Sequence, residues 1–415
     1  MTGPTDTKVS ALALFREGPF RLLFIMRISS NTASQMIGVI VSFQIWELTR
    51  SELQLGMIGL IQFLPALALT LFAGQVADRY DRRWILRIGL TSQILVPAGF
   101  IVLSNMAAPP LLGFYGLLLI FAIARTFDSP TQQALLPSMV PREALAQAIS
   151  LSTSAQKISA AVGPLLGGVI LVISASVDYG VCLALTVIAA IASYALSPPQ
   201  YGDRDARNRT WHTVFSGLQF IFKTPVILGL MSLDLLATFF GGVAALLPIF
   251  ATDILDVGPG GLGMLRAGPA VGALMMAVVL ACFPVRRRAG RLMFGGVAAY
   301  GVATIVFGFS ENMILSMACM LVVGAGDTLG QVLRQTIIQL RTPDAMRGRV
   351  AAVSNLSVTS GSQLGQFESG VVAAVIGAVG SVFVGGVAAL LIVGEWMRRF
   401  PAITKIESPE EDALP

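Results

Sequence analysis

The sequence predicts an all-α membrane protein with twelve transmembrane helices in two parallel, pseudo-symmetric six-helix halves. Three observations predict it: apolar stretches from end to end, basic residues confined to alternate loops, and an internal repeat. Of 415 residues, 55% are hydrophobic and 12% charged, against roughly a quarter charged in a soluble domain. A helix needs about 20 mostly apolar residues to cross a bilayer. The membrane interior forces every backbone polar group to bond within the chain. The short alternating segments of a β-barrel do not appear.

Helices are expected near 20–47, 54–77, 84–104, 111–137, 144–173 and 176–197, then near 226–251, 260–284, 291–309, 312–339, 347–374 and 376–397. These divide the chain into an N-terminal half (1–197), a polar linker (198–224), a C-terminal half (225–400) and an acidic tail (401–415) expected to be disordered. Basic residues cluster in alternate loops: Arg79, Arg82, Arg83 and Arg87; Arg204, Arg207, Arg209 and Lys223; Arg286, Arg287, Arg288 and Arg291; Arg341, Arg347 and Arg349. The other loops carry almost none, Arg50 and Arg266 being the exceptions. The positive-inside rule puts the basic loops and both termini in the cytoplasm.

Sliding the chain along itself until Arg125 falls on Asp327 places Gln133 on Gln335, Pro141 on Pro343, Gly163 on Gly365 and Gly168 on Gly370. An even number of helices per repeat gives parallel halves around an axis along the membrane normal, with a midplane cavity between them.

Several classes are excluded. Cys182, Cys282 and Cys319 lie in apolar stretches without metal spacing, and His212 is the single histidine. No metal, cofactor or histidine-based catalysis is therefore expected, and the protein is not expected to be an enzyme. No Gly-rich phosphate loop is present, so ATP is not the expected motor. The polar leader before the first apolar stretch does not read as a signal peptide. The net charge of +5 follows topology rather than a nucleic-acid patch.

Gly74-Gln-Val-Ala-Asp78-Arg79-Tyr-Asp81-Arg82-Arg83 joins the second and third helices. It resembles the signature loop of the major facilitator superfamily, which implies that Gly74, Asp78, Arg79, Arg82 and Arg83 form a gating latch. Asp81 stands where that family often has Gly. The corresponding loop of the second half, Pro284 to Arg291, keeps the bases and lacks the acid. On the fifth helix, Ala155, Ser159, Gly163, Pro164, Gly167 and Gly168 make a flat, bent face. Gly163-Pro164-x-x-Gly167-Gly168 resembles the antiporter motif of drug and metabolite exporters, although such stripes also serve ordinary tight packing. Residues 15–400 are similar to the branch containing the enterobactin exporter and macrolide efflux proteins. Phe20 to Arg27, Leu135 to Glu143 and Thr342 to Arg349 carry that similarity.

Ionisable residues inside a bilayer cost about 2.5–3.5 kcal/mol on insertion scales, so they face a cavity or a partner. Arg27, Asn31, Ser34 and Gln35 share a face of the first helix; Arg125, Asp128 and Gln132 share one on the fourth; Asp234 and Thr238 on the seventh; Asp327, Gln331 and Arg334 on the tenth. The resemblance implies that these four helices line the cavity. Lys157 and Glu368 add a base on the fifth helix and an acid on the eleventh. The repeat sets Arg125 opposite Asp327, which suggests an arginine–aspartate pair across the cavity. The proton-coupling candidates are thus Asp128, Asp234, Asp327, Glu368 and Arg125. A static bridge, or an Arg125–Asp128 pair within one helix, accounts for the same residues, and Arg27 has the option of snorkelling.

The expected function is that of a proton-driven secondary transporter exporting a small organic molecule such as a siderophore, drug or secreted metabolite. Its expected partners are that substrate, protons and membrane lipid, with no nucleic acid, and it is expected to act as a monomer in the bacterial inner membrane. An importer or uniporter of a polar nutrient is the alternative within transport. A non-transporting receptor is the alternative outside it.

Overall fold

The computed structural model describes residues 14–15, 18–196 and 211–408, and among these it is helical with no strand. The N-terminal half holds α1 (Gly18–Thr49), α2 (Glu52–Arg79), α3 (Arg82–Ser104), α4 (Leu111–Met139), α5 (Leu145–Leu171) and α6 (Ala175–Ala195). The C-terminal half holds α7 (Pro225–Ile254), α8 (Gly258–Cys282), α9 (Ala289–Gly308), α10 (Met313–Leu340), α11 (344–376) and α12 (378–399). Ten described helices meet the length and apolarity needed to cross a membrane. One of them, Met346–Arg399, is two spans parted at Gly377, whose φ of 78° and ψ of 165° suit only glycine. α1 is the twelfth; its polar stripe lowers its apolarity, and it is packed against α5 and α6.

Local chemistry sets the starts of several helices. Asp81 caps α3 by accepting from the Arg83 amide (3.0 Å), Ser174 caps α6 from Ser176, and Asn312 caps α10 from Ile314 and Leu315. Apolar side chains such as Leu67, Ile88, Leu95, Val102, Ile191 and Leu391 are exposed on the outer surface, where lipid takes the place of water.

Three buried cores reveal how the halves sit. One runs through both halves, from Met36, Phe100 and Tyr179 to Phe250, Leu265 and Phe307. Two others are separate, each inside one half and at its basic-loop end. The N-terminal one contains Phe20, Leu90 and Leu136, and the C-terminal one Leu230, Phe294 and Ile337. The halves therefore share a core at the face opposite the basic loops and part towards the basic face.

Two glycine seams close the opposite face. A Cβ on Gly56 of α2 would lie 3.0 Å from the Gly370 Cα of α11, and one on Gly168 of α5 would lie 2.6 Å from the Gly263 Cα of α8. Gly168 and Gly370 are the residues the internal repeat superposes, so the seams are related by the same pseudo-symmetry. Above them, Trp46 Nε1 donates to Thr252 Oγ1 (3.0 Å) and Arg50 pairs with Asp253 (2.9 Å), tying the end of α1 to that of α7. Arg266 of α8 reaches into α1, donating to the Gly38 carbonyl and Ser42 Oγ, each at 2.9 Å.

One expectation, the disordered tail, is corrected for its first residues, and two features go beyond the sequence reading. The polar linker contains a helix, Trp211–Lys223, that lies on α11, where Arg349 Nη1 donates to Ser216 Oγ (2.9 Å). The rest of the linker, 197–210, lies outside the described residues. The tail is ordered to residue 408, because Ile403 and Ile406 are buried and the Glu407 and Ile406 carbonyls accept from the free Ala289 and Gly290 amides at the start of α9. Residues 409–415 lie outside the described ones. The seventh helix is not continuous: regular α-helix ends at Phe240, a 3₁₀ turn follows over Gly242–Ala245, and a π turn closes the span at Phe250–Ile254. Gly241 and Gly242 permit the break, because a side chain at either would collide with Tyr300 Oη or with the Gly365 carbonyl.

Candidate functional site: a polar cavity on the C-terminal half

A cavity of about 390 Å³ lies between the halves. Its wall comes mostly from α7, α8, α9, α10 and α11, and α5 closes it from the other half with Lys157 and Ala160. The break in α7 forms part of the wall through Gly241, Gly242, Val243 and Ala244. Broken membrane helices recur at transporter binding sites because they turn backbone groups towards the ligand. Here the Gly241 carbonyl is taken up by Tyr300 Oη from α9 at 2.9 Å. Leu233, Met293, Val297, Met320 and Val323 supply the apolar surface.

The predicted residues divide sharply between the halves. Asp234, Thr238, Asp327, Gln331 and Arg334 all line the cavity. Asp234 and Arg334 form a direct ion pair that joins α7 to α10, both side chains being largely buried. Thr238 Oγ1 donates back to the Asp234 carbonyl (2.7 Å). Asp327 is open to the cavity.

The N-terminal candidates do not line this cavity. Arg27 donates to Gln132 Oε1 (3.1 Å) and to Ser152 Oγ, tying α1 to α4 and α5. Arg125 donates to Asn31 Oδ1 at 3.4 Å. Asp128 is buried and accepts from Gln93 Nε2 (2.9 Å) on α3. Ser34 and Gln35 also lie away from it, with Gln35 packed over Gly163. The expected Arg125–Asp327 pair is therefore corrected. Arg125 is engaged inside its own half, and the cation that shares the cavity wall with Asp327 from that half is Lys157 of α5. Glu368 stands apart from the cavity wall, accepting from Ser369 Oγ at 3.4 Å.

In the loop resembling the signature, Arg83 binds Asp81 through Nη2 (2.8 Å), which holds the Asp81 carboxyl below the usual aspartate range. Arg82 donates to the Ala134 carbonyl at the end of α4 (2.9 Å), and Arg79 is exposed. The Asp78 side chain lies outside the described ones. A Cβ on Gly74 would meet no described atom within 4 Å, so close packing does not require glycine there in this conformation. On α5 the glycines split in function. Gly163 and Gly167 pack on α1, and Gly168, with the Pro164 carbonyl, meets Gly263 of the other half.

Sequence reasoning missed Tyr300, Thr328, Ser362 and Gln366 as wall residues. It noted Lys157 without placing it in the cavity. The signal for Lys157 was present, since it is the only ionisable residue between Glu143 and Asp178.

Twelve helices in two halves around such a cavity define a secondary transporter of the major facilitator fold. Residues 9–414 match the family described as transmembrane secretion effector, and the chain belongs to it. It is similar to the enterobactin exporter EntS of Citrobacter koseri, 26% identical over 388 residues that cover 92% of each chain. The EntS of Escherichia coli O1:K1 / APEC is also 26% identical over the same share. Among solved structures it resembles the nucleoside transporter NupG (TM-score 0.74, 13% identity, covering 92% of this chain and 98% of that one). It also resembles a bacterial homologue of the human lysosomal transporter Spinster (TM-score 0.74, 14% identity, covering 97% and 99%).

Proposed function

We propose that the protein is a proton-coupled exporter of a small organic amphiphile, working by alternating access in the bacterial inner membrane with both termini in the cytoplasm. The observation that carries this reading is the pair of charges on opposite walls of one cavity, Asp327 on the C-terminal half and Lys157 on the N-terminal half. A carboxyl open to the cavity takes and gives a proton on whichever side the cavity faces. A charge on the other half makes its environment depend on how the halves are tilted. The apolar lining suits a bulky amphiphile better than a sugar. The similarity to enterobactin exporters supports outward flux and a siderophore-like or secreted-metabolite cargo. The membrane potential supplies about 2.3 kcal/mol per charge per 100 mV, enough to drive a one-proton exchange uphill.

In inside-out vesicles acidified inside, the protein is expected to accumulate its cargo, and collapse of the gradient should end accumulation. Asp327→Asn should lose gradient-driven flux, and any exchange that remains at saturating cargo should no longer respond to pH. Accumulation of a nutrient by right-side-out vesicles with inward protons would establish import instead. The proposed topology has its own test. Cysteines placed at Asn105 and Pro109, in a Cys282→Ser background, should react with an impermeant reagent added outside cells, and cysteines at Arg286 and Arg287 should not. The reverse pattern would overturn the orientation.

A further inference from the structure

The four charges in the cavity wall are not equivalent. Arg334 and Asp234 satisfy each other directly. Lys157 and Asp327 lie on opposite halves, and neither makes an ion pair within 4.0 Å among the described residues. Two opposite charges outside any ion pair thus line one cavity from opposite halves, together with apolar wall. Tyr300 Oη is committed to the Gly241 carbonyl and Thr238 to the Asp234 carbonyl, so neither competes for these poles.

Resting on the transporter reading above, we propose that Lys157 and Asp327 are the two poles of one ligand site and that the cargo carries a dipolar head. Its cationic or donor group meets Asp327, its anionic group meets Lys157, and its apolar body lies against Leu233, Met293, Met320 and Val323. A purely anionic head would be held by Lys157 and repelled by Asp327. A purely cationic head would meet the reverse conflict. Charges in a cavity walled by protein act more strongly than in bulk water, and like charges there are correspondingly unfavourable. The two poles sit on different halves, so a bridging head also couples ligand binding to the approach of the halves on the basic side. A single-charge site confined to one half would lack that property.

The test uses one fluorescent body with four heads. Nε-dansyl-lysine carries amine and carboxylate, dansylcadaverine only the amine, dansyl-6-aminohexanoate only the carboxylate, and dansylpentylamide neither. Binding to the purified full chain in detergent is followed by dansyl fluorescence. The zwitterionic member should bind at least tenfold more tightly than the other three. Lys157→Gln should erase its advantage over dansylcadaverine, and Asp327→Asn its advantage over the carboxylate probe. The exchange variant Lys157→Asp/Asp327→Lys should restore a preference for the zwitterion. Size-exclusion profiles and unfolding midpoints of each variant show that it is folded. Equal binding of all four probes, preference for a singly charged one, or no saturable binding of the zwitterion overturns the proposal. Equilibrium binding needs no gradient and no direction. A failed flux experiment would therefore overturn the proton-coupled exporter reading while leaving this one standing, and the converse also holds.

Discussion

Arg334→Met is expected to be strongly destabilising. Its guanidinium pairs directly with Asp234, and the two side chains are only 7% and 14% exposed. Removing one member of a buried pair leaves the other charge uncompensated, which typically costs about 3–5 kcal/mol. Replacing both members with apolar or neutral groups of similar volume is far milder, because the desolvation penalty of both ions disappears with their attraction. Arg334→Met alone should therefore lower the unfolding midpoint of the detergent-purified protein steeply. Asp234→Asn should do so to a lesser degree, since an amide still offers hydrogen bonds to Arg334. The double variant Asp234→Asn/Arg334→Met should recover most of the loss. An unchanged midpoint in Arg334→Met, or strictly additive effects in the double variant, would mean that the two groups are not coupled.

This pair also shows which parts of the site were legible in the sequence. Helical spacing places Asp327, Gln331 and Arg334 on one face of α10, and the structure turns that face to the cavity. The same reasoning groups Arg27 with Asn31 and Arg125 with Gln132, yet those faces meet each other inside the N-terminal half. Periodicity says which residues share a face and not which way the face turns. A polar face inside a membrane can be satisfied by a neighbouring helix as well as by a cavity, and local sequence does not distinguish the two.

The twelve spans were legible because apolar length and basic loops are local signals that the bilayer itself enforces. The interruption of α7 was not. Gly241-Gly242 in an apolar run is common in membrane helices, and the break depends on Tyr300 and Gly365, which lie far along the chain. The role of Gly168 was legible in part. Small residues on α5 predict a close approach, but only the fold shows that Gly163 and Gly167 meet α1 while Gly168 meets α8. The matching seam between Gly56 and Gly370 had no motif to announce it, although the internal repeat superposes Gly370 on Gly168.

Gly263→Val is expected to reduce transport tenfold or more while leaving the protein folded. A Cβ at Gly263 would lie 2.5 Å from the Pro164 carbonyl oxygen and 2.8 Å from the Gly168 Cα. Both are backbone atoms of the opposite half, so no side chain can swing aside to make room. Forcing extra carbons into such a contact typically costs about 1–3 kcal/mol. That penalty falls only on the conformation in which the face opposite the basic loops is closed. A cost of this size shifts the ratio of two states by about 5- to 150-fold. The variant should therefore rest with that face open. Thr252→Cys in a Cys282→Ser background reports on this directly, because Thr252 lies beneath Trp46 in the closed arrangement. An impermeant thiol reagent applied at that face should modify it faster when Gly263→Val is present, and Gly263→Ala should give an intermediate rate. Gly260→Val serves as the control, since the nearest atom to a Cβ there is Val172 Cγ2 at 3.8 Å, an ordinary contact. If Gly263→Val transports normally and leaves the Thr252→Cys labelling rate unchanged, the glycine seam is not what holds the opposite face shut.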